Sequence, residues 1–180
     1  YQHGHNSGTR GVAGDWTNNG TFNAGSGTVS FVGNNATSVI QSGGTGIGKD
    51  FYGLTVNKDN AAYQIQLAGN DVNVTNTLTM TKGNIDAQTN DKVLILGTAT
   101  NNLGTLSYTS GFVYGKMRRW FAGTNSGNSS GLFPFGVGTY NRHMLLEYAT
   151  TAPATGGSLT AYFNETEGMD WPWQWLSTQP

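Results

Sequence analysis

Hydrophobic residues occur along this chain in short runs in which apolar and small polar side chains often alternate. Examples are TVSF at 28–31, LTV at 54–56, LTM at 78–80 and VLIL at 93–96. The runs are bounded by Gly, Asn or Asp, a pattern typical of β-strands joined by tight turns. No segment shows a helical period. The pattern therefore predicts an all-β protein.

Apolar positions also recur at an interval of about 25 residues, and glycine or asparagine supplies the turns between them. The three recurring series are Phe22, Ile47, Val72 and Leu96; Val29, Leu54, Leu78 and Leu103; and Phe31, Val56 and Met80. A fixed period of this size indicates stacked coils that bury their inward side chains against each other. We therefore expect a parallel β-solenoid, similar to a right-handed β-helix, over residues 14–121. An antiparallel β-sandwich is the alternative architecture.

The segments on either side of the repeats have a different character. Residues 1–13 are predicted to be loose, and the Gly/Ser/Asn-rich stretch 122–131 is predicted to be a linker. Alternation in Met144–Tyr148 and again in Leu159–Phe163 predicts an antiparallel hairpin. Residues 132–180 are therefore expected to form a small antiparallel, β-sandwich-like module or cap. The alternative is that they form only part of such a module.

Composition narrows the class of protein further. Glycine, threonine, asparagine and serine make up 82 of 180 residues, which excludes a helical bundle. The net charge is −1 and only 11% of residues are charged, so no basic surface for nucleic acid is expected. No apolar run approaches the roughly 20 residues of a membrane-spanning helix.

Two surfaces are candidate binding sites. In an extended strand Trp171, Trp173 and Trp175 would point the same way and form an aromatic strip for stacking on sugar rings, joined by Tyr162. Packing of these tryptophans in a core is the alternative. The second surface is a row of outward hydroxyls, which lies between the apolar positions of the repeat and is similar to the flat faces of ice-binding solenoids. The row consists of Ser30, Thr55 and Thr79.

The acidic residues do not predict catalysis. They are dispersed and their registers do not coincide, whereas a glycosidase needs two carboxylates flanking one bond. We therefore expect no catalytic residues, no metal centre and no cofactor. The segment 86–91 and the pair Asp71 and Asn73 do offer oxygen ligands of the calcium type, so a structural Ca²⁺ is an alternative to simple Asx-turns.

Several of these segments resemble a known family. GDWTNNGTF at 14–22, FYGLTVN at 51–57, LTMTKGNID at 78–86 and GKMRR at 115–119 resemble the repeats of extracellular, adhesin-like proteins of Bacteroidota. The passage FPFG followed by YNR, within 133–142, resembles the handover in those proteins from a solenoid-like part to a β-sandwich. The resemblance implies a large secreted cell-surface protein, often exported by the type IX secretion machinery. It does not extend to the Trp-rich end.

The expected function is therefore that of a non-enzymatic, extracellular structural or adhesive segment of a larger bacterial protein. Its partners would be surface glycans or other cell-surface proteins, in addition to the secretion machinery that the resemblance implies. A carbohydrate-binding module that uses the Trp strip is the first alternative. An ice-binding solenoid face is the second.

Overall fold

The computed structural model describes residues 8–123, 131–147 and 155–163, and these residues form an all-β structure. The strands are β1 (Thr9–Val12), β2 (Trp16–Asn18), β3 (Thr28–Phe31), β4 (Thr37–Ser42), β5 (Phe51–Asn57), β6 (Gln64–Gly69), β7 (Val72–Lys82), β8 (Asn84–Asp86), β9 (Val93–Leu96), β10 (Thr105–Tyr108), β11 (Val113–Phe121), β12 (Leu132–Phe133), β13 (Gly136–Val137), β14 (Tyr140–Asn141), β15 (Met144–Leu145) and β16 (Gly157–Phe163).

Twelve of these strands form one continuous hydrogen-bonded sheet, and eleven of them, β1 to β11, pair in parallel with one another and wind into a β-solenoid of about four turns. The stack has three faces, of which the third is built of strands only from β7 onward. The first face stacks β1, β3, β5, the second half of β7, and β10, and the second face stacks β2, β4, β6, β8 and the start of β11. The start of β7, β9 and the middle of β11 form the third face. The predicted parallel solenoid is confirmed.

Inward side chains of successive coils lie directly above one another and make the core. On the first face Val29, Leu54, Leu78 and Leu106 occupy one register position, and none is more than 8% exposed. Because the strand period is 2, the intervening residues face outward. This stacking explains why the sequence repeats its apolar residues about every 25 positions.

The structure corrects three members of the recurring series. Leu106, not Leu103, stacks on Leu78, because the turn that contains the Ala99–Asn102 bridge lengthens this coil. Ile47 is fully exposed in a Gly-rich loop and takes no part in the core. Leu96 pairs with Val74, and Leu94 is the residue that pairs with Val72.

Lysine side chains tie neighbouring coils together at the corners. Lys49 Nζ donates to the carbonyl oxygens of Asn18 and Gly20, at 3.1 and 2.6 Å. Lys58 is 1% exposed and its Nζ donates to Val32 O at 3.1 Å and to the inward hydroxyl of Ser38 at 3.0 Å.

Two more lysines make the same kind of connection. Lys82 Nζ donates to Asp59 O at 3.0 Å, and Lys116 pairs with Asp91 at 2.6 Å. In each case the acceptor lies 20 to 31 residues earlier in the chain. Four of the five lysines therefore connect one coil to the coil before it.

The described residues that follow the solenoid pack on the last coil. Strand β16 pairs antiparallel with β11 over seven residue pairs and so covers the edge of the third face. The predicted hairpin is wrong, because Met144 and Leu145 pair with β12 instead of with β16. Arg119 is 2% exposed, and its Nη1 donates to Leu132 O at 2.6 Å. Burial lowers the pKa of Arg119 to about 10.

The described strands also bear on the predicted boundaries. Strand β1 pairs with β3 and lies inside the segment 1–13 that the sequence predicted to be loose. The segment 124–130 of the predicted linker lies outside the described residues. Within 131–147 the strands are only two residues long, and they pair antiparallel as β12 with β15 and β13 with β14.

Candidate functional site

The predicted row of hydroxyls is one of two parallel files on the first face. Ser30, Thr55, Thr79 and Ser107 occupy equivalent register positions in four adjacent strands. The neighbouring file, two residues earlier in each strand, consists of Thr28, Gly53, Thr77 and Thr105. We call these two files together the hydroxyl face.

The spacing on the hydroxyl face is regular because the β-sheet fixes it. Adjacent members of a file are about 4.8 Å apart across the strands, and the two files are about 6.6 Å apart along them. None of the eight positions carries a charge. Exposure increases toward the last coil, since Ser30 is 8% exposed whereas Thr105 and Ser107 are exposed.

Two glycines interrupt the hydroxyl face. Gly53 takes a threonine position, and a Cβ atom placed there would collide with the side chain of Thr28, which leans over it. In the first coil Gly11 pairs with Ser30 and ends the file of Ser30, Thr55, Thr79 and Ser107, whereas Thr9 pairs with Thr28 in the neighbouring file. On the far side Asn57 pairs with Lys82, where a register shift ends the regular spacing. The face is therefore short, about four strands wide.

The aromatic strip predicted at Trp171, Trp173 and Trp175 lies outside the described residues. Tyr162, its fourth predicted member, lies on β16 opposite Lys116 and is 68% exposed. The structure thus describes one exposed aromatic side chain of the predicted four.

The acid Asp86, considered above as a calcium ligand, is used by the fold. Its Oδ1 accepts from the backbone N–H groups of Gln88 and Thr89, both at 2.9 Å, and its Oδ2 accepts from the Thr89 hydroxyl at 2.6 Å and Gln66 Nε2 at 3.1 Å. Burial alone would raise the pKa of Asp86, but these hydrogen bonds outweigh it and hold the pKa below its ordinary value. The two backbone hydrogen bonds to Oδ1 make this segment an Asx-turn, the alternative to a calcium site that the sequence offered.

The second calcium candidate, Asp71 with Asn73, is also partly used. Asp71 Oδ1 accepts from the N–H of Val93 at 2.9 Å, and Asn73 Nδ2 donates to Asp50 Oδ2 at 2.9 Å. In residues 8–123, 131–147 and 155–163, no group of three or more His, Cys, Asp or Glu side chains is placed to hold a metal ion.

Sequence reasoning missed a polar cleft at the corner between the second and third faces. The cleft has a volume of about 210 Å³ and is lined by Gly44, Thr45, Asn70, Asp71 and Lys92. Three successive coils contribute these residues, which stand 21 to 27 positions apart from one coil to the next. The repeat length was the available signal, because it brings corner residues of successive coils together.

Comparison of the chain with protein-family models, with curated proteins and with solved structures finds no match. In the described part of the chain, no helix is long and apolar enough to cross a membrane.

Proposed function

We propose that this chain is a non-enzymatic structural segment of a secreted bacterial cell-surface protein, and that its rigid coil stack spaces and displays adhesive surfaces. The observation that carries the proposal is the continuous ladder of eleven parallel strands, which joins each coil to the next along the first and second faces and, from β7 onward, along the third. Such a ladder resists bending because each coil shares many backbone hydrogen bonds with its neighbours.

The use of the charged side chains supports a structural role. Four of the five lysines bind the preceding coil. Asp86 is saturated by hydrogen bonds within its own turn and from the coil before it, and Asp91 pairs with Lys116. These groups stabilise the stack, so the proposed role needs no catalytic group.

Labelling of intact cells tests the location. An antibody raised against the 180-residue chain should label unpermeabilised cells of the source organism, whereas an antibody to a cytosolic protein should not. On a denaturing gel the labelled polypeptide should run far above 19.1 kDa. Labelling that needs permeabilisation would overturn the proposal of a surface location, and a band near 19.1 kDa would overturn that of a larger parent protein.

The hydroxyl face favours ice binding as a second candidate function. Its uncharged hydroxyl groups repeat in two directions at fixed spacings, with Gly53 as the one gap among the eight positions, and contact with an ordered water lattice requires such a repeat. Thr79 lies in the interior of the face, with Thr55 and Ser107 on either side. Thr79→Tyr would place a bulky ring there without entering the core.

The test is inhibition of ice recrystallisation by the purified chain. Activity is expected for the original chain and for Gln41→Tyr, an exposed position on the second face, and it should be lost in Thr79→Tyr. Equal activity of the two variants, or none in the original chain, would dismiss this candidate.

Carbohydrate binding through the Trp strip stays a prediction. Binding to polysaccharides that is lost in the double variant Trp171→Ala/Trp173→Ala would support it. Unchanged binding would remove the strip from consideration.

A further inference from the structure

The lysines of this chain divide into two groups. Lys49, Lys58, Lys82 and Lys116 each contact the preceding coil. The Lys92 ammonium group makes no hydrogen bond or ion pair within the described residues, and Lys92 lines the corner cleft. Its ammonium group is therefore available to a ligand in a way that the other four are not.

The remaining groups of the cleft are oxygen atoms. Asp71 uses Oδ1 to hold the N–H of Val93, and its Oδ2 has no hydrogen bond within the described residues. Asn70 donates through Nδ2 to Ser42 O at 3.2 Å, so its amide oxygen remains an acceptor. The Thr45 hydroxyl, the third such group, is exposed.

These groups define the chemistry of a ligand. No apolar side chain lines the cleft, so an apolar ligand would gain nothing there. Lys92 attracts an anion, whereas the Asp71 carboxylate and the Asn70 amide oxygen accept hydrogen bonds from hydroxyl groups. The Asp71 carboxylate would repel a multiply charged phosphate. A hydroxylated ring that bears one carboxylate fits the cleft, because its single negative charge would pair with Lys92 and its hydroxyl groups would donate to Asp71 and Asn70.

We propose that the corner cleft binds a uronic-acid residue of an acidic polysaccharide, with its carboxylate on Lys92 and its ring hydroxyls on Asp71 and Asn70. The proposal goes beyond the structural role, which does not require the cleft. It also gives the segment a contact with glycans that is separate from the Trp strip.

The experiment is an NMR titration of the whole 180-residue chain with trigalacturonic acid, and in parallel with its methyl ester, which has no charge. With the acid, the amide signals of Thr45, Asn70, Asp71 and Lys92 should shift, and the ester should bind more weakly. In Lys92→Met, affinity for the acid should fall about two- to fivefold, as expected for loss of one partly exposed charge pair.

Lys82→Met is the matched control, because Lys82 is an exposed lysine on another corner and should leave the affinity unchanged. The spectrum of Lys92→Met without ligand should match that of the original chain outside the cleft. Absence of shifts, equal binding of acid and ester, or an equal loss in both lysine variants would overturn the proposal. The surface-labelling result does not depend on any of these outcomes.

Discussion

The solenoid and the residues packed on its C-terminal end are stabilised in different ways. In the interior coils of the solenoid, inward side chains have equivalents above and below them, as Leu54 has in Val29 and Leu78. In residues 131–147 the strands are two residues long, and the main apolar contacts are Phe133 with Phe135 and Phe121, at ring distances of 5.8 and 6.3 Å. The solenoid repeats one packing arrangement from coil to coil, whereas residues 131–147 depend on a few large side chains.

Residues 131–147 therefore depend on the last coil. Phe121 belongs to β11, and Tyr108 on β10 forms a 3.0 Å hydrogen bond with His143 Nε2. Isolated two-residue strand pairs are not stable in water. We therefore expect the solenoid to keep its structure when the C-terminal contacts are weakened, but not the reverse.

The largest effect is expected for Phe133→Ala. Phe133 is fully buried, and loss of a buried phenylalanine costs about 3–5 kcal/mol. Hydrogen exchange should accelerate throughout residues 131–147 and leave the strands β3 to β8 protected. Acceleration spread equally over all coils would show that the two regions form one cooperative unit.

Leu54→Ala should cost about 2–5 kcal/mol in the free energy of unfolding, measured by urea denaturation. Because Leu54 lies in the middle of the stack and is fully buried, its loss should weaken the neighbouring coils as well. Faster exchange is expected in β3, β5 and β7 together. An effect restricted to β5 would contradict the stacking of the core.

Asp86→Asn should lower the free energy of unfolding by about 1–3 kcal/mol. The carboxylate accepts hydrogen bonds through both oxygens, whereas an amide has a donating NH2 group in place of one of them. The folded-state pKa of Asp86 is lowered. The carboxylate therefore stabilises the fold above its unfolded-state pKa, near 3.9, and this contribution is lost as the pH falls through the folded-state pKa. Denaturation at pH 7 and at lower pH should show a smaller acid dependence in Asp86→Asn than in the original chain. If both proteins lost stability equally as the pH falls, the lowered pKa of Asp86 would be contradicted.

The smallest effect is expected for Asp91→Asn. The Asp91 side chain is 83% exposed, and solvent and salt screen its ion pair with Lys116. The thermal midpoint should change little, and any change should vanish at high salt. A large loss that persists in salt would mean that this pair holds the coils together.

The sequence predicts the solenoid well because its core is periodic. Val29, Leu54 and Leu78 were placed in register from spacing alone. Spacing fails where a coil changes length, as before Leu106, and where an apolar residue lies in a loop, as Ile47 does. The antiparallel pairing of β16 with β11 has no repeat to reveal it.

The sequence likewise predicts the residues of a candidate site only where the strand period places them. The hydroxyl row follows from the strand period, so Ser30, Thr55 and Thr79 could be aligned in advance. The corner cleft combines residues from turns, where no alternation marks the direction of a side chain. Lys92 differs from the other lysines only in what it contacts, which no sequence pattern indicates.

The central claim is that stacked coils form a stiff segment, and single-molecule pulling tests it most directly. The chain contains no cysteine, so Thr9→Cys and Ala122→Cys provide two unique attachment points at the ends of the solenoid. We expect the segment to keep its folded length under load and then to release one coil at a time, in steps of about 25 residues. Gradual extension at low force, without steps, would contradict it.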